Sequence, residues 1–530
     1  VRVTSIKEMK DIETRTFGEF GVIESIIIEN VGVRGADYIE ENFLVKANYD
    51  ELVVLVGRGN NGADGMAIAR HLRNRGYSVR SFLVFPEDES TEELKRQLFM
   101  ARKYGVKIST IRDAEQLQGY FANTQSGYFV LDAVLGTGTR LPISQHLFDI
   151  FNIVNESATV TVSIDIPSGI TGDCGSMSGA AIKADCTMTI GNPKVGLYLY
   201  KGAKHSGEIV VLDVGFPSEC EEQGDKFLLD VDQALYYYRQ RDSFGHKNSF
   251  GHLLVVGGST GMTGAVVMAS TAAIRVGTGL VSSATWKDNY HELFAKMMPE
   301  VITGVIPSTE EADAILRELN DKYDAIVIGP GIGQGEWVRK SVVRLLSSFS
   351  GPIVIDADGI NSLSIDDVEL FSGRKTPVTF TPHIGEFARF MKLSVDEVLT
   401  ASMEHMKSFV SRTNSNLILK GACTFIALTS GEIFINYLPN DGLAKAGSGD
   451  VLAGITGGFL AQAYHDVKEK RALFDVVAPH CLAVFLHARA GKLAAEAAGT
   501  RSMSATTIIE YFGKAFAELD EIIGLLVETT

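Results

Sequence analysis

The chain has 530 residues, 45% hydrophobic and 22% charged, more than one core usually organises, so two domains of roughly 200 to 300 residues are expected. Its formal charge of −16 argues against nonspecific binding to nucleic acid or an anionic membrane, because either needs a basic face. An anionic ligand is still allowed, since a local nest of N–H groups overrides the net field. The five cysteines (Cys174, Cys186, Cys220, Cys423, Cys481) lack Cys-x-x-Cys spacing and read as reduced thiols of a cytoplasmic protein, without a zinc site. The first residues, VRVTSIKEMKDIETRTF, lack the apolar core of a signal peptide, and no apolar run reaches the ~20 residues of a membrane helix.

Residues 4–48 read as helices. Short apolar runs then alternate with amphipathic ones, the pattern of a parallel sheet covered by helices: strands over 51–56, 79–85, 128–134 and 160–166, helices over 65–75 and 92–104. The first strand leads into GRGNNGADG, residues 57–65, which contains the Gly-x-Gly-x-x-Gly of a dinucleotide loop. A loop that only wraps a pyrophosphate has no need of Asn60, Asn61 and Asp64, which suit a hard cation or a ligand rich in hydroxyls. Two later strand ends, with Asp132 in LDAVLGTG and Asp165 in SIDIPSG, aim at the same sheet edge. A carboxylate in an apolar strand needs a partner. Either aspartate alone is as readily a loop cap; both, with Asn61 and Ser168, point to a shared ligand or monovalent-cation site.

Together GRGNNGADG, LDAVLGTGTR, SIDIPSGITGD, ADCTMTIGNPKVGL and GEIVVLDVGFP resemble the NAD(P)H-hydrate epimerase family across residues 1–218. The resemblance implies potassium held by Asn61, Asp132 and Ser168. It implies a hydrated nicotinamide cofactor contacted by Asn60, Asn61, Gly62, Ala63, Asp64, Gly136, Thr137, Gly138, Thr139, Arg140, Leu141, Pro142 and Asp165. Ala63 departs from the family's usual glycine. Inverting one carbon without net redox change needs a proton donor and acceptor; Asp165 is the candidate base, and Lys194 is either its partner or a solvated lysine beside a turn.

The alternation lapses over 217–245, which places the domain boundary at 222/223. It resumes with strands over 252–256, 325–328, 353–356 and 417–420, helices over 264–275, 338–347 and 395–413, and a hairpin over 424–436. No Walker pattern is present. The stretch NDGLAKAGSGDVLAGITGG, residues 440–458, runs a glycine-rich turn into a small-residue helix, stacking N–H groups at a helix N-terminus with Asp450 beside them. Such an end suits a phosphate gaining charge during transfer, and Asp450 is placed to take a proton from a hydroxyl.

HKNSFGHLLVVGGS, GPGIG, VIDADGIN, TPHIGEFAR, LKGACT and AGSGDVLAGITGGFLAQ stand in the order of the NAD(P)H-hydrate dehydratases of the ribokinase-like superfamily, which this half resembles. By that resemblance Ala265, Gly331, His383 and Asp450 contact the hydrated cofactor, and Lys420, Gly421, Ala422, Cys423, Thr424 and Gly449 contact the nucleotide. Lys445, in a segment that departs from the usual one, is open to two readings, a phosphate contact or solvent.

The whole is read as an α/β protein, with a Rossmann-like three-layer domain over 1–222 and a ribokinase-like α/β domain over 223–530. The resemblances imply a fused epimerase and ADP-dependent dehydratase that repairs hydrated NADH and NADPH, with K+ in the first domain, Mg2+ in the second and homo-oligomeric assembly. The rival is a vitamin, pyrimidine or sugar kinase carrying a noncatalytic N-terminal module.

Overall fold

The computed structural model describes residues 1–46, 49, 51–122, 127–221, 224–306 and 318–529. The chain divides into two compact units, Val1–Lys226 and Phe227–Thr530; the boundary expected at 222/223 lies outside the described residues.

The first unit opens on helices Ile6–Gly18 and Glu24–Ile39, then forms a seven-stranded parallel sheet in the order β3-β2-β1-β4-β5-β6-β7. The strands are β1 Leu52–Val56, β2 Val79–Leu83, β3 Lys107–Thr110, β4 Phe129–Ala133, β5 Val160–Ile164, β6 Cys186–Ile190 and β7 Glu208–Leu212. Alternate residues of β1 face opposite layers. Leu52, Val54 and Val56 pack in one core with Ala67 and Ile68, whereas Val53 and Leu55 pack in another with Ile150 and Phe151. The order reverses between β1 and β4, which opens a crevice at their C-terminal ends.

The helix after β1 starts at Asn60, five residues earlier than the expected 65. Asn60, Asn61 and Asp64 therefore lie on the first helical turn and not in a loop. Gly62 permits that close start, since a Cβ there would stand 2.3 Å from the Gly57 carbonyl oxygen.

The second unit holds a ten-stranded sheet in the order β11-β10-β9-β12-β13-β14-β15-β16-β17-β8. Its strands are β8 Lys226–Leu228, β9 His252–Val256, β10 Leu280–Thr285, β11 Ile302–Val305, β12 Ala325–Ile328, β13 Ile353–Ile355, β14 Val378–Phe380, β15 Asn416–Leu419, β16 Thr424–Ala427 and β17 Ile433–Asn436. From β11 through β15 neighbours are parallel, and β16 and β17 form the expected antiparallel hairpin. The single helix expected over 395–413 is two, Val395–Thr400 and Ser402–Thr413, because Ala401 leaves helical geometry at φ −135°, ψ 39°.

Helix Ser448–Lys468 lies across this sheet on glycines. Added Cβ atoms at Gly454 and Gly457 would come within 2.1 Å of the Ala269 carbonyl oxygen and 2.3 Å of Val327 Cγ2. The small-residue run of residues 453–458 is thus what brings the helix, with Asp450 in its first turn, down onto β12 and helix Thr263–Arg275. Both units are α/β, as the alternation predicts.

Candidate active sites

In the first unit the polar residues converge on the turn after β4. Asp132, in β4 opposite Leu55 of β1, is fully buried and accepts hydrogen bonds from Ser163 Oγ (2.8 Å), Ser168 Oγ (2.6 Å), Ser168 N (2.9 Å) and Val134 N (3.3 Å). Burial raises its pKa, and those bonds only partly offset the rise. Ser168 Oγ in turn accepts from Leu135 N at 2.8 Å. The next residue, Gly136, stands against the remaining two: a Cβ there would lie 3.3 Å from Asp165 Oδ2 and 3.4 Å from Asn61 Cβ. The fold therefore brings Asn61, Asp132, Asp165 and Ser168 to one turn.

Asn61 is the unsatisfied member. Both its Oδ1 and Nδ2 are buried with no hydrogen-bond partner among the described residues. An amide left so costs about 1 to 3 kcal/mol per unmet group, and the donor set fits a ligand that supplies what the protein withholds: an electropositive group or cation at Oδ1, an acceptor at Nδ2.

Asp165 occupies left-handed backbone space at φ 67°, where a non-glycine residue is strained by of order 1 kcal/mol or more. Its Oδ1 is paired with Lys194 Nζ at 2.6 Å. Lys194 is 1% exposed and also donates to Ile190 O (2.7 Å) and Thr189 Oγ1 (3.4 Å), so it is not the solvated lysine that its turn allowed. Around this pair stand Asp64, Glu13 and Glu24. Burial first, then the Asp165, Glu13 and Glu24 charges, push the Asp64 carboxyl well above the usual range, and burial with Asp165 raises Glu13.

Asn60 points outward, donating to Glu24 Oε1 at 2.5 Å, while Ala63 buries its methyl completely within the helix. Of the later predicted contacts, Thr139 closes the turn by donating Oγ1–H and N–H to Gly136 O (2.9 and 3.1 Å). Thr137 and Leu141 are half-buried, and Gly138, Arg140 and Pro142 form its exposed rim.

In the second unit, Gly447 at φ 93° turns the chain into helix Ser448–Lys468. Asp450 sits in the first turn with its carboxyl pushed up to about 7 by burial and by the Asp356 and Glu386 charges, against the pull of Lys420. Lys420 follows β15 and pairs with Asp356 Oδ1 at 2.9 Å; burial lowers its pKa, and Asp356 with the Glu386 and Asp450 charges raises it by more. The same oxygen, Asp356 Oδ1, accepts from Thr381 Oγ1 at 2.7 Å. A Cβ at Gly449 would meet Lys420 Nζ at 3.0 Å, so the ammonium group overhangs the helix start.

The other three predicted cofactor contacts follow strands β9, β12 and β14, Ala265 on helix Thr263–Arg275 and Gly331 and His383 just after their strands. Gly331, at φ 55° after β12, faces Ala265, whose Cβ would lie 3.1 Å from a Cβ at that glycine. His383 caps helix Ile384–Met391, its Nδ1 accepting from Gly385 N (3.0 Å) and Glu386 N (3.2 Å). That usage leaves Nε2 as the N–H donor on an exposed ring. The backbone of His383 bridges to Lys420, which brings the two predicted ligand sets side by side. Gly421 and Ala422 are exposed and Thr424 is half-buried; Cys423 is buried with its thiol pushed up to about 12, a neutral group offering only backbone to a ligand.

Two features escaped the sequence. Asp356 follows β13 in the IVIDAD run, but nothing local announces Lys420, 64 residues away, as its partner. His487 Nε2 lies 3.0 Å from Ser448 O and 3.2 Å from Ser448 Oγ, with its pKa pushed down to about 4 by burial, and so braces the turn as a neutral ring.

The choice at Lys445 is also decided by geometry. Its Nζ donates to Arg501 O and Met503 O, both at 2.5 Å, tying the turn before the helix to residues 501–503. Lys445→Met should therefore lower the melting temperature, by the worth of charge-assisted bonds of about 1.5 to 3 kcal/mol, and leave the KM for nucleotide unchanged. A raised nucleotide KM without loss of stability would mean that Lys445 touches phosphate.

The sequence profile described as "YjeF-related protein N-terminus" matches residues 24–196, and the profile described as "NAD(P)H-hydrate dehydratase" matches residues 253–514. A bifunctional NAD(P)H-hydrate repair enzyme of Moorella thermoacetica is 32% identical over 529 residues, 98% of this chain and 97% of its own. The chain belongs to the bifunctional NAD(P)H-hydrate repair enzyme family. A repair enzyme of Thermofilum pendens, 30% identical, covers 100% of the chain and 98% of its own length. Among solved structures, an ADP/ATP-dependent NAD(P)H-hydrate dehydratase from Bacillus subtilis, co-crystallized with ATP and Mg2+, matches 55% of the chain and 98% of its own at 26% identity and a TM-score of 0.49. Among the described residues of this repair-enzyme chain no helix is long and apolar enough to cross a membrane.

Proposed function

We propose that the chain repairs hydrated NADH and NADPH, the N-terminal unit interconverting the R and S hydrates and the C-terminal unit dehydrating the S hydrate to NAD(P)H at the expense of ADP, with AMP and phosphate as products. The observation that carries it is Asp450: a carboxyl poised near neutrality, in the first turn of a helix whose N-terminal N–H groups lie under Lys420.

Asp450 takes the proton of the ring hydroxyl, whose oxygen attacks the terminal phosphorus of ADP as AMP leaves. The N–H groups of Gly449 and its neighbours, with Lys420, hold the oxygens that gain charge. The ring nitrogen's lone pair then expels phosphate, and loss of the adjacent ring proton restores the double bond. Ala265, Gly331 and His383 orient the nicotinamide, and Lys420, Gly421, Ala422, Cys423, Thr424 and Gly449 take the nucleotide. Mg2+, when bound with ADP, supplies neutralisation of phosphate charge.

In the N-terminal unit Asp165 serves as base with Lys194 fixing its carboxylate, and Asn60 to Asp64 with Gly136 to Pro142 contact the hydrate. Potassium would be held by Asn61, Asp132 and Ser168, a set supported by the orphaned Asn61 amide. The reduced thiols and acidic charge are in keeping with a cytoplasmic protein.

The test is absorbance at 340 nm after adding an epimer mixture of hydrated NADH to purified protein with K+, Mg2+ and either ADP or ATP. Full conversion with ADP is the expected result. Conversion that stops at one epimer leaves the N-terminal unit without activity, full conversion with ATP alone replaces the donor, and a phosphorylated product that persists makes the protein a kinase.

A further inference from the structure

Beside the C-terminal site lies a cavity of about 580 Å³ that the reaction just described does not use. Its walls come from the segments after β12, β13 and β14, and include Gln334, Arg339, Asp358, Asn361 and Arg389. Gln334 follows directly on the turn that carries Gly331 and Gly333. Arg389 lies on helix Ile384–Met391, which His383 caps, about 9 Å further along at 1.5 Å of rise per residue.

The polar groups of this cavity are already oriented. Asp358 Oδ1 accepts from both Gln334 Nε2 (3.3 Å) and Asn361 Nδ2 (3.1 Å). The two oxygens of Asn361, backbone and side chain, then hold Arg389 NH1 and NH2 at 3.2 and 2.5 Å. Arg339 is occupied, forked onto Asp367. Arg389 is not: it is exposed, fixed through neutral oxygens, and has no carboxylate partner among the described residues. Glu336 and Asp358 also line the cavity but neither is bonded to Arg389, and a guanidinium steered by an amide with its outer donors free of a carboxylate has the geometry for a phosphate.

Chemistry says which phosphate. The hydrated dinucleotide carries an adenosine and a pyrophosphate beyond the reacting ring, and a second nucleotide must bind in the same unit as phosphoryl donor. The donor's proposed contacts lie after β15 and at Gly449, none of them among the residues that line this cavity. The segments after β12 and β13 are left for the tail of the substrate.

We propose that this cavity receives the ribose and pyrophosphate tail of the hydrated dinucleotide, with Arg389 donating to the pyrophosphate oxygens and Gln334 lining the same cavity. This inference rests on the dehydratase reading and adds to it a binding subsite that selects whole dinucleotides over the bare nicotinamide end.

The experiment compares kcat/KM of the full chain and its Arg389→Gln variant, with ADP and Mg2+, on hydrated NADH and on hydrated dihydronicotinamide riboside, which has the reacting ring and no phosphate. The variant should lose about tenfold or more on the dinucleotide relative to its change on the riboside, the worth of one charge-assisted hydrogen bond. Gln334→Ala, which leaves Arg389 in place, should show the same bias in smaller measure, and serves if Arg389→Gln does not fold. Equal losses on both substrates, or none on either, overturn the subsite. A wild-type protein that turns over neither hydrate overturns the dehydratase reading itself, a result distinct from the loss of bias.

Discussion

Asp450→Asn is expected to lower dehydration by about 10²- to 10⁴-fold, the usual worth of a positioned base, while epimer interconversion and the fold survive, because the exchange is isosteric. Turnover of the purified S hydrate with ADP is the measurement, and wild-type turnover in the variant would remove Asp450 from the mechanism. The same carboxyl predicts the pH profile. A base acts only when ionised, so kcat/KM for the hydrate should rise with unit slope and level off above about pH 7, where burial and the Asp356 and Glu386 charges place its pKa.

Stability moves the opposite way. An unfolded aspartate ionises near pH 3.9, so between about pH 4 and 7 the folded state holds a proton that the unfolded state has released, and stability falls as pH rises through that window. Asn has no such titration. Asp450→Asn should therefore match the wild type near pH 4 and melt higher than it above pH 7, so activity and stability part company at this residue.

The second large effect belongs to the N-terminal unit. Asp165→Asn should cut epimer interconversion by about 10²- to 10⁴-fold and leave dehydration of the S hydrate untouched, so that an epimer mixture stalls part-way. Unchanged interconversion would make the unit a binding module. Lys194→Met tests the pairing differently. With 1% of its side chain exposed and its Nζ 2.6 Å from Asp165, it leaves a nearly buried carboxylate unpaired. A loss of about 3 to 5 kcal/mol of stability is expected for such a break, read by denaturant titration; a small loss would mean that Asp165 finds another partner.

How far these sites were legible depends on the distance over which their residues act. The turn-to-helix segment around Gly447, Ser448, Gly449 and Asp450 reads from sequence because glycine conformation, capping and helix start are all local. The helix after β1 misled by five residues, since Asn60 and Asn61 favour loops by composition and only the packing of Gly62 against Gly57 carries the helix back over them. Strand β3, Lys107–Thr110, was missed because KIST is polar and mostly exposed at the sheet edge, where no apolar run marks it. Strand β6, CTMTI, is buried, but Thr187 and Thr189 interrupt the apolar run that marks β1 and β4.

The α/β class, the carboxylate of Asp165 at a strand end and that of Asp450 at a glycine-led helix start were thus legible in composition and local order, because hydrophobic alternation and glycine placement are properties of neighbours in the chain; the base role of Asp165 was what the resemblance implied. The electrostatics were decided only by the folded chain. Lys194 becomes a buried partner and not a solvated lysine, Lys420 finds Asp356, Lys445 finds carbonyls near residue 502, and Arg389 is left without a carboxylate. Each depends on which residues the sheet order brings within a few ångströms, and charges act through space, so no reading of neighbours along the chain contains them.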